Sequence, residues 1–156
     1  MEEKNISFFR FEDLRVYNKA IDYSKWVIAN LSNPRSDSEQ TLQHSFVRSA
    51  CDIAINIAEG SSRNKAQFEH YLKISKTAIR ECLVFTTVAY ELGILSQEQQ
   101  EQSRVTLMEM TRMIGALIIS LTRGARRRGG ESSDDLGLGI DDVDTDISTD
   151  FPDLDR

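Results

Sequence analysis

Apolar residues recur along this chain in alternating steps of three and four, the spacing that builds one helix face. Four segments carry the pattern. The first spans about residues 12–31, with Leu14, Tyr17, Ile21, Ser24, Ile28 and Leu31 on its predicted core face. The second, about 37–59, offers Leu42, Phe46, Ala50, Ile53 and Ile57. The third, about 65–92, runs Phe68, Tyr71, Ser75, Ala78, Cys82, Phe85, Ala89, Leu92, a seam of coiled-coil type. Leu72, Ile79, Leu83 and Val88 widen it. The fourth, about 97–123, presents Leu107, Met110, Ile114, Leu117 and Leu121, broadened by Met108, Met113 and Ile118. No stretch makes a convincing strand.

The punctuation between segments agrees. Asn33-Pro34 breaks the chain. Ser36 with Glu39, and Ser96 with Gln99, have the form of capping boxes. Gly60 and Gly93 stand where a helix is expected to stop, and Arg123-Gly124 marks the end of the fourth segment. Phe8, Phe9 and Phe11 are expected to pack over one end as a hydrophobic staple. Short joints make successive helices antiparallel, so the predicted fold is all-α: an antiparallel up-down-up-down four-helix bundle over residues 1–128. The second helix is apolar over more than one stripe, with Ala50, Cys51, Ala54 and Ala58 among Ile53, Ile55 and Ile57. That points to self-association through an additional face.

Charge divides the chain. Residues 1–130 hold 18 Lys and Arg against 15 Asp and Glu, whereas residues 131–156 hold one Arg against ten acids. The acidic segment buries too little apolar area to fold alone, so residues 129–156 are predicted to be a disordered tail. Its recurring apolar residues, Leu136 to Leu154, suit a short docking segment, though a passive solubilising tail is the simpler expectation. Asp142, Asp144, Asp146, Asp150 and Asp153 fall at calcium-loop positions, but Ile147 stands where that loop requires glycine.

Candidate chemistry is sparse. His44 and His70 lie on different helices without ligand spacing, and no nucleophile or phosphate-loop motif is present. The expectation is a protein that is not an enzyme and carries no metal or cofactor. Cys51 and Cys82 sit in apolar stretches and are read as buried, reduced residues. There is no secretory pattern, and the longest near-apolar run, Met113–Leu121, is too short to span a bilayer. A cytoplasmic protein without a membrane partner follows as the expectation. Arg123, Arg126, Arg127 and Arg128 cluster at the end of the fourth helix. They are candidates for phosphate contact with salt-dependent nucleic-acid binding; the plainer reading is a solubilising helix end at the negative pole of the dipole. No aromatic platform accompanies them, so base-specific recognition is not supported. The acidic tail begins three residues later, placed to fold back and screen them. Asn56 and Glu59 interrupt the apolar second helix three residues apart, Glu59 is expected near a core face, and Arg63 is its expected counterion.

These residues carry a resemblance. Phe11-Glu-Asp-Leu14 with Lys19-Ala20, then Arg48-x-Ala50-x-x-Ile53-x-x-Asn56-Ile-Ala-Glu59-Gly60-x-x-Arg63, then Leu72-x-Ile74 and Glu81, are similar to the small four-helix proteins named for 23S rRNA intervening sequences. The likeness runs over about residues 8–122, and the Asn-Ile-Ala-Glu-Gly block is its most specific part. Arg48, Asn56, Glu59, Gly60, Arg63 and Glu81 are then the motif positions, read as a structural polar cluster. The resemblance implies a ring, typically a homopentamer. It also implies association with structured RNA, or a likeness to the accessory proteins of diversity-generating retroelements, which bind nucleic acid and reverse transcriptase. This chain departs from the pattern at Asp52, where the family usually has Ser, and at Ser75-Lys-Thr-Ala78, where it has Ala-x-Gly-Ser. The acidic tail has no counterpart in it. Together these readings predict a non-enzymatic oligomeric binding module associated with RNA or DNA. The alternative is an adaptor or scaffold ring that binds a protein partner through its tail and touches no nucleic acid.

Overall fold

The computed structural model describes residues 8–128, with side chains through Arg123. The expectations placed on the acidic segment, disorder and calcium-loop spacing alike, lie outside the described residues. A single 3-10 turn (Arg10–Asp13) leads into α1 (Arg15–Asn30), α2 (Asp37–Ser61), α3 (Lys65–Glu91) and α4 (Gln97–Arg128). Each helix packs on its chain neighbours and α4 closes on α1, while the diagonal pairs stay apart. Across the α1–α4 seam, Lys19, Tyr23, Trp26 and Asn30 meet Glu109, Ser103, Gln102 and Gln99 in descending order. Ser49 with Glu81, and Ile53 with Ser75, set the same antiparallel sense for α2 and α3. This is the predicted four-helix bundle.

Local chemistry fixes the boundaries. Ser96 and Gln99 cap each other reciprocally, at 3.1 and 2.8 Å. Ser36 accepts the Glu39 N–H, but the Glu39 carboxylate reaches back to the Arg35 N–H instead of closing on Ser36. Asn64 caps α3 through the Gln67 N–H. Gly93, at φ +70°, lets Gly93 N–H bond Tyr90 and Ile94 N–H bond Ala89, the paired Schellman closure.

Gly60 has a different task from the predicted stop. It lies inside α2, and a Cβ there would come within 2.6 Å of Tyr71 Cβ and 2.8 Å of Phe68 Cδ2. Glycine is required because α3 starts against it. Gly124 likewise fails to end its helix, and α4 continues to Arg128.

The core is built by Phe46, Ile53 and Ile57 of α2, Leu72, Ile79 and Cys82 of α3, and Leu107, Met110 and Ile114 of α4. For α1 the predicted seam is corrected. Val16, Ala20, Tyr23 and Val27 point inward, while Ile21 and Ile28 are 37% and 50% exposed. Two seams compete on α1, and the inner one holds Tyr23, the larger side chain, whose hydroxyl finds a partner. Tyr23 bonds Ser103 (2.8 Å), Ser103 bonds Thr86 (2.7 Å), and Thr86 donates to the Cys82 carbonyl. This line ties α1, α4 and α3 without an unpaired buried polar side-chain atom among the described residues. Burial raises the Tyr23 phenol and the Cys82 thiol above their ordinary pKa values.

Two more expectations change. Phe8 and Phe9 are 89% and 53% exposed and touch mainly one another and Phe11, while Phe11 is half-buried, edge-on against Tyr17. Cys82 is buried but Cys51 is only half-buried. α4 over Gln97–Arg123 is also long and apolar enough, by length and composition, to cross a membrane, because its apolar residues are spread round the helix beyond the nine-residue run. In the bundle it is the fourth wall, with Ser103, Leu107, Met110 and Ile114 turned inward.

Candidate functional site

Helices advance roughly 100° per residue, so outward stripes can be assigned to the groove they border. The α2–α3 groove collects the motif positions. Arg48, Asp52, Asn56 and Glu59 follow one another in steps of four, four and three on α2, and Arg63, four residues on, lies just past its end. Glu59 is exposed, not core-facing, and pairs with Arg63 as expected. That hydrogen bond is the main cause holding the Arg63 pKa above its usual value. Arg63 also lies over the Tyr71 ring at 5.2 Å, directly beside Gly60. Asn56 does not meet Glu59; its amide donates to the Asp52 carbonyl within the helix. Glu81 crosses from α3 to accept from Ser49 at 2.8 Å. The structure therefore brings the motif together along one seam and pairs most of its charges locally. Sequence reasoning missed Ser49 and Tyr71, whose role appears only once α2 and α3 are set side by side.

The α1–α2 groove is apolar. Ile21 and Ile28 border it from α1, and half-buried Val47, Cys51 and Ala58 with Ile55, 57% exposed, border it from α2. This is the second α2 stripe inferred from the sequence.

The α3–α4 groove is predominantly basic from the start of α3 to the level of Arg104. Glu81 marks the α2 flank of α3, so Lys65, Lys73, Lys76 and Arg80 fall on the outer and α4 flanks. The one acid among residues 65–80, Glu69, pairs with Lys73. On α4 the steps four, four, three, four, four give Arg104, Met108, Arg112, Gly115, Ile119 and Arg123. The one acid between residues 102 and 123, Glu109, turns instead to Lys19 of α1. A Cβ on Gly115 would meet nothing within 4 Å, which leaves the groove open beside Arg112. Of the predicted phosphate cluster, Arg123 is exposed on this stripe; Arg126, Arg127 and Arg128 end the same helix, and their side chains lie outside the described residues. The lysines and arginines farther up the groove were not singled out from sequence, although their three-and-four spacing was there to find.

Among the described residues no three His, Cys, Asp or Glu side chains stand close enough to share a metal ion. A hollow of about 240 Å³ at the α1–α2 joint, lined by Asn30, Pro34, Arg35, Glu39 and Ile94, has its carboxylate already bonded to the Arg35 backbone. The family model of the 23S rRNA-intervening sequence proteins matches residues 12–116, from the turn before α1 through most of α4. No curated protein matches the chain.

Proposed function

Because the chain belongs to the 23S rRNA-intervening sequence protein family, we propose that it is a non-enzymatic, oligomeric binding module associated with structured RNA. The observation that carries this reading is the α3–α4 groove, where cations from two helices line a channel from the start of α3 to the level of Arg104, and the acids along that stretch, Glu69 and Glu109, pair with Lys73 and Lys19. Such a surface suits a phosphate backbone and reads no bases. The apolar α1–α2 groove supports self-association, with a second copy covering Ile21, Ile28 and Ile55. In a ring, a homopentamer as the resemblance implies, the basic groove repeats once per protomer. Weak phosphate contacts then add through avidity. A retroelement accessory role, with a reverse transcriptase as partner, is the finer form of the same reading. Cytoplasmic placement goes with it.

The test is RNA binding by the full chain, titrated across salt, beside Lys76→Glu/Arg80→Glu/Arg112→Glu. Binding should weaken linearly on logarithmic axes, by roughly 0.7–0.9 in slope per phosphate contact. The triple variant should lose most of the affinity and flatten the slope. No binding by the natural chain at low salt would leave the adaptor ring as the function.

A further inference from the structure

We propose that the α3–α4 groove is seated by the chain's own acidic C-terminal segment, residues 131–156, lying along it as an internal polyanion. This rests on the reading of the groove as a polyanion site, but not on RNA being the polyanion.

Charge complementarity selects the occupant. The segment holds ten acids against one arginine. The α2–α3 groove mixes both signs, with Arg48, Asp52, Glu59, Arg63 and Glu81 along it, and the α1–α2 groove offers apolar surface. Among the described residues, cations border the third groove from both helices, Lys76 and Arg80 on α3 and Arg104 on α4, with Arg112 and Arg123 on the outer face of α4 beside it. The segment also has apolar residues, among them Val143 and Phe151. Half-buried Met108 and exposed Ile119 on the α4 stripe match them, and the gap at Gly115 gives room.

The tether points the same way. Thr86 with Ser103 fixes the antiparallel register of α3 and α4. In that register Arg123 is level with the first turn of α3, so α4 delivers the segment to the basic mouth of the groove. Running back from Arg128 to Arg104 takes about 36 Å at the helical rise. The segment, extended, reaches up to roughly 86 Å. The groove turns acidic beyond Arg104, at Glu91, Glu98 and Glu101, which ends the seat there. Tethering holds the segment at an effective concentration of about millimolar, so weak pairing suffices to fill the groove. If RNA uses the same groove, the segment is its competitor.

The experiment places a photo-crosslinking phenylalanine analogue at Phe151, and separately at Val143, in the full chain. Heavy and light isotope copies are mixed, and crosslinks are mapped by mass spectrometry. Crosslinks within one chain to α3 and α4 are expected. They should fall about fivefold or more at 0.5 M salt, where the Debye length is below about 5 Å. Asp141→Asn/Asp142→Asn/Asp144→Asn/Asp146→Asn should reduce them to the same degree, and this variant leaves the core untouched. Crosslinks centred on α1 or α2, crosslinks mainly between heavy and light copies, or yields unchanged by salt and by neutralisation, would overturn the proposal. No RNA enters the measurement. Docking without RNA binding would retire the RNA reading alone, and RNA binding without docking would retire this one alone.

Discussion

The α1–α2 groove and the α3–α4 groove lie on opposite sides of the same bundle, bordered by helices under the same inward constraint, and their outer flanks have opposite chemistry. One carries Ile21, Ile28 and Ile55 into solvent; the other carries Lys76, Arg80, Arg104 and Arg112. Neither flank is needed to close the core, whose buried side chains are all on the inner stripes. Each costs the isolated protomer something, apolar exposure on one side and like-charge repulsion on the other. On the proposed reading the two surfaces suit different partners: a surface of its own kind for the apolar groove, an anion for the basic one. The α2–α3 groove between them, with its paired motif residues, is the frame that keeps both in place.

The largest expected effect is on the apolar side. Ile21→Lys combined with Ile55→Lys should convert an assembly into monomers, read by light scattering at micromolar concentration. Each isoleucine buried at a copy interface contributes about 1.5–3 kcal/mol, and a ring repeats the loss. Helical content should hold, since neither residue belongs to the buried core. A natural chain that is monomeric at tens of micromolar would break this side of the comparison.

Gly60→Ala comes next and separates frame from function. Alanine is favoured over glycine in a helix by about 1 kcal/mol. Here its methyl would stand 2.6 Å from Tyr71 Cβ, an atom that cannot move without its backbone. Overpacking of this kind costs about 1–3 kcal/mol, so the melting temperature should fall. A rise would mean that α2 and α3 are not this close. RNA affinity measured well below the transition should not change.

How far the sequence carried these distinctions follows from what each depends on. The steps of three and four on α2 and α4 gave their inner stripes directly, because the largest apolar side chains, Phe46, Ile53, Leu107 and Met110, fall on them, whereas the second stripe of α2 is built mostly of small residues. On α1 the pattern holds two seams, and the choice depended on Ser103, eighty residues away, bonding Tyr23. Gly60 looked like a helix end because glycine serves both as a stop and as a close contact, and only the neighbouring helix tells which. The motif residues were legible as a set, yet Glu59 was placed near the core when its partner Arg63 holds it at the surface. The basic groove is shared between two helices, so no single stretch of sequence displays it, whereas Arg126, Arg127 and Arg128 are consecutive.

A comparable effect belongs to the seam between the grooves. Ser49→Ala removes the donor to Glu81 and should cost about 1.5–3 kcal/mol, as for a hydrogen bond to a charged partner, read in urea titrations. Arg63→Ala should cost less, because that pair is exposed and salt-screened. If the order of the two were reversed, the stacking of Arg63 on Tyr71 would hold the groove more firmly than the Ser49–Glu81 bond.

The smallest change is one of rate, and it tests the apolar groove without disturbing the fold. Cys51 lies half-buried on that groove, while Cys82 is buried and its thiol is held up in pKa by burial, with the nearby Glu81 and Asp52 charges adding to it. A protonated, enclosed thiol reacts slowly, so Cys82 serves as an internal reference that opens only on unfolding. The assay belongs below pH 9. Cys82 keeps its proton in the fold above the pH at which the unfolded chain releases it, so stability falls as pH rises past the ordinary thiol value of 9.0. With a disulfide reagent at neutral pH, Cys51 in the assembled natural chain should be shielded by the covering copy. In Ile21→Lys/Ile55→Lys it should react about tenfold faster or more, as access to the thiol opens, with one thiol modified per chain. Equal rates in the two proteins would mean that nothing covers the groove, and the apolar flank would then need another explanation than a second copy.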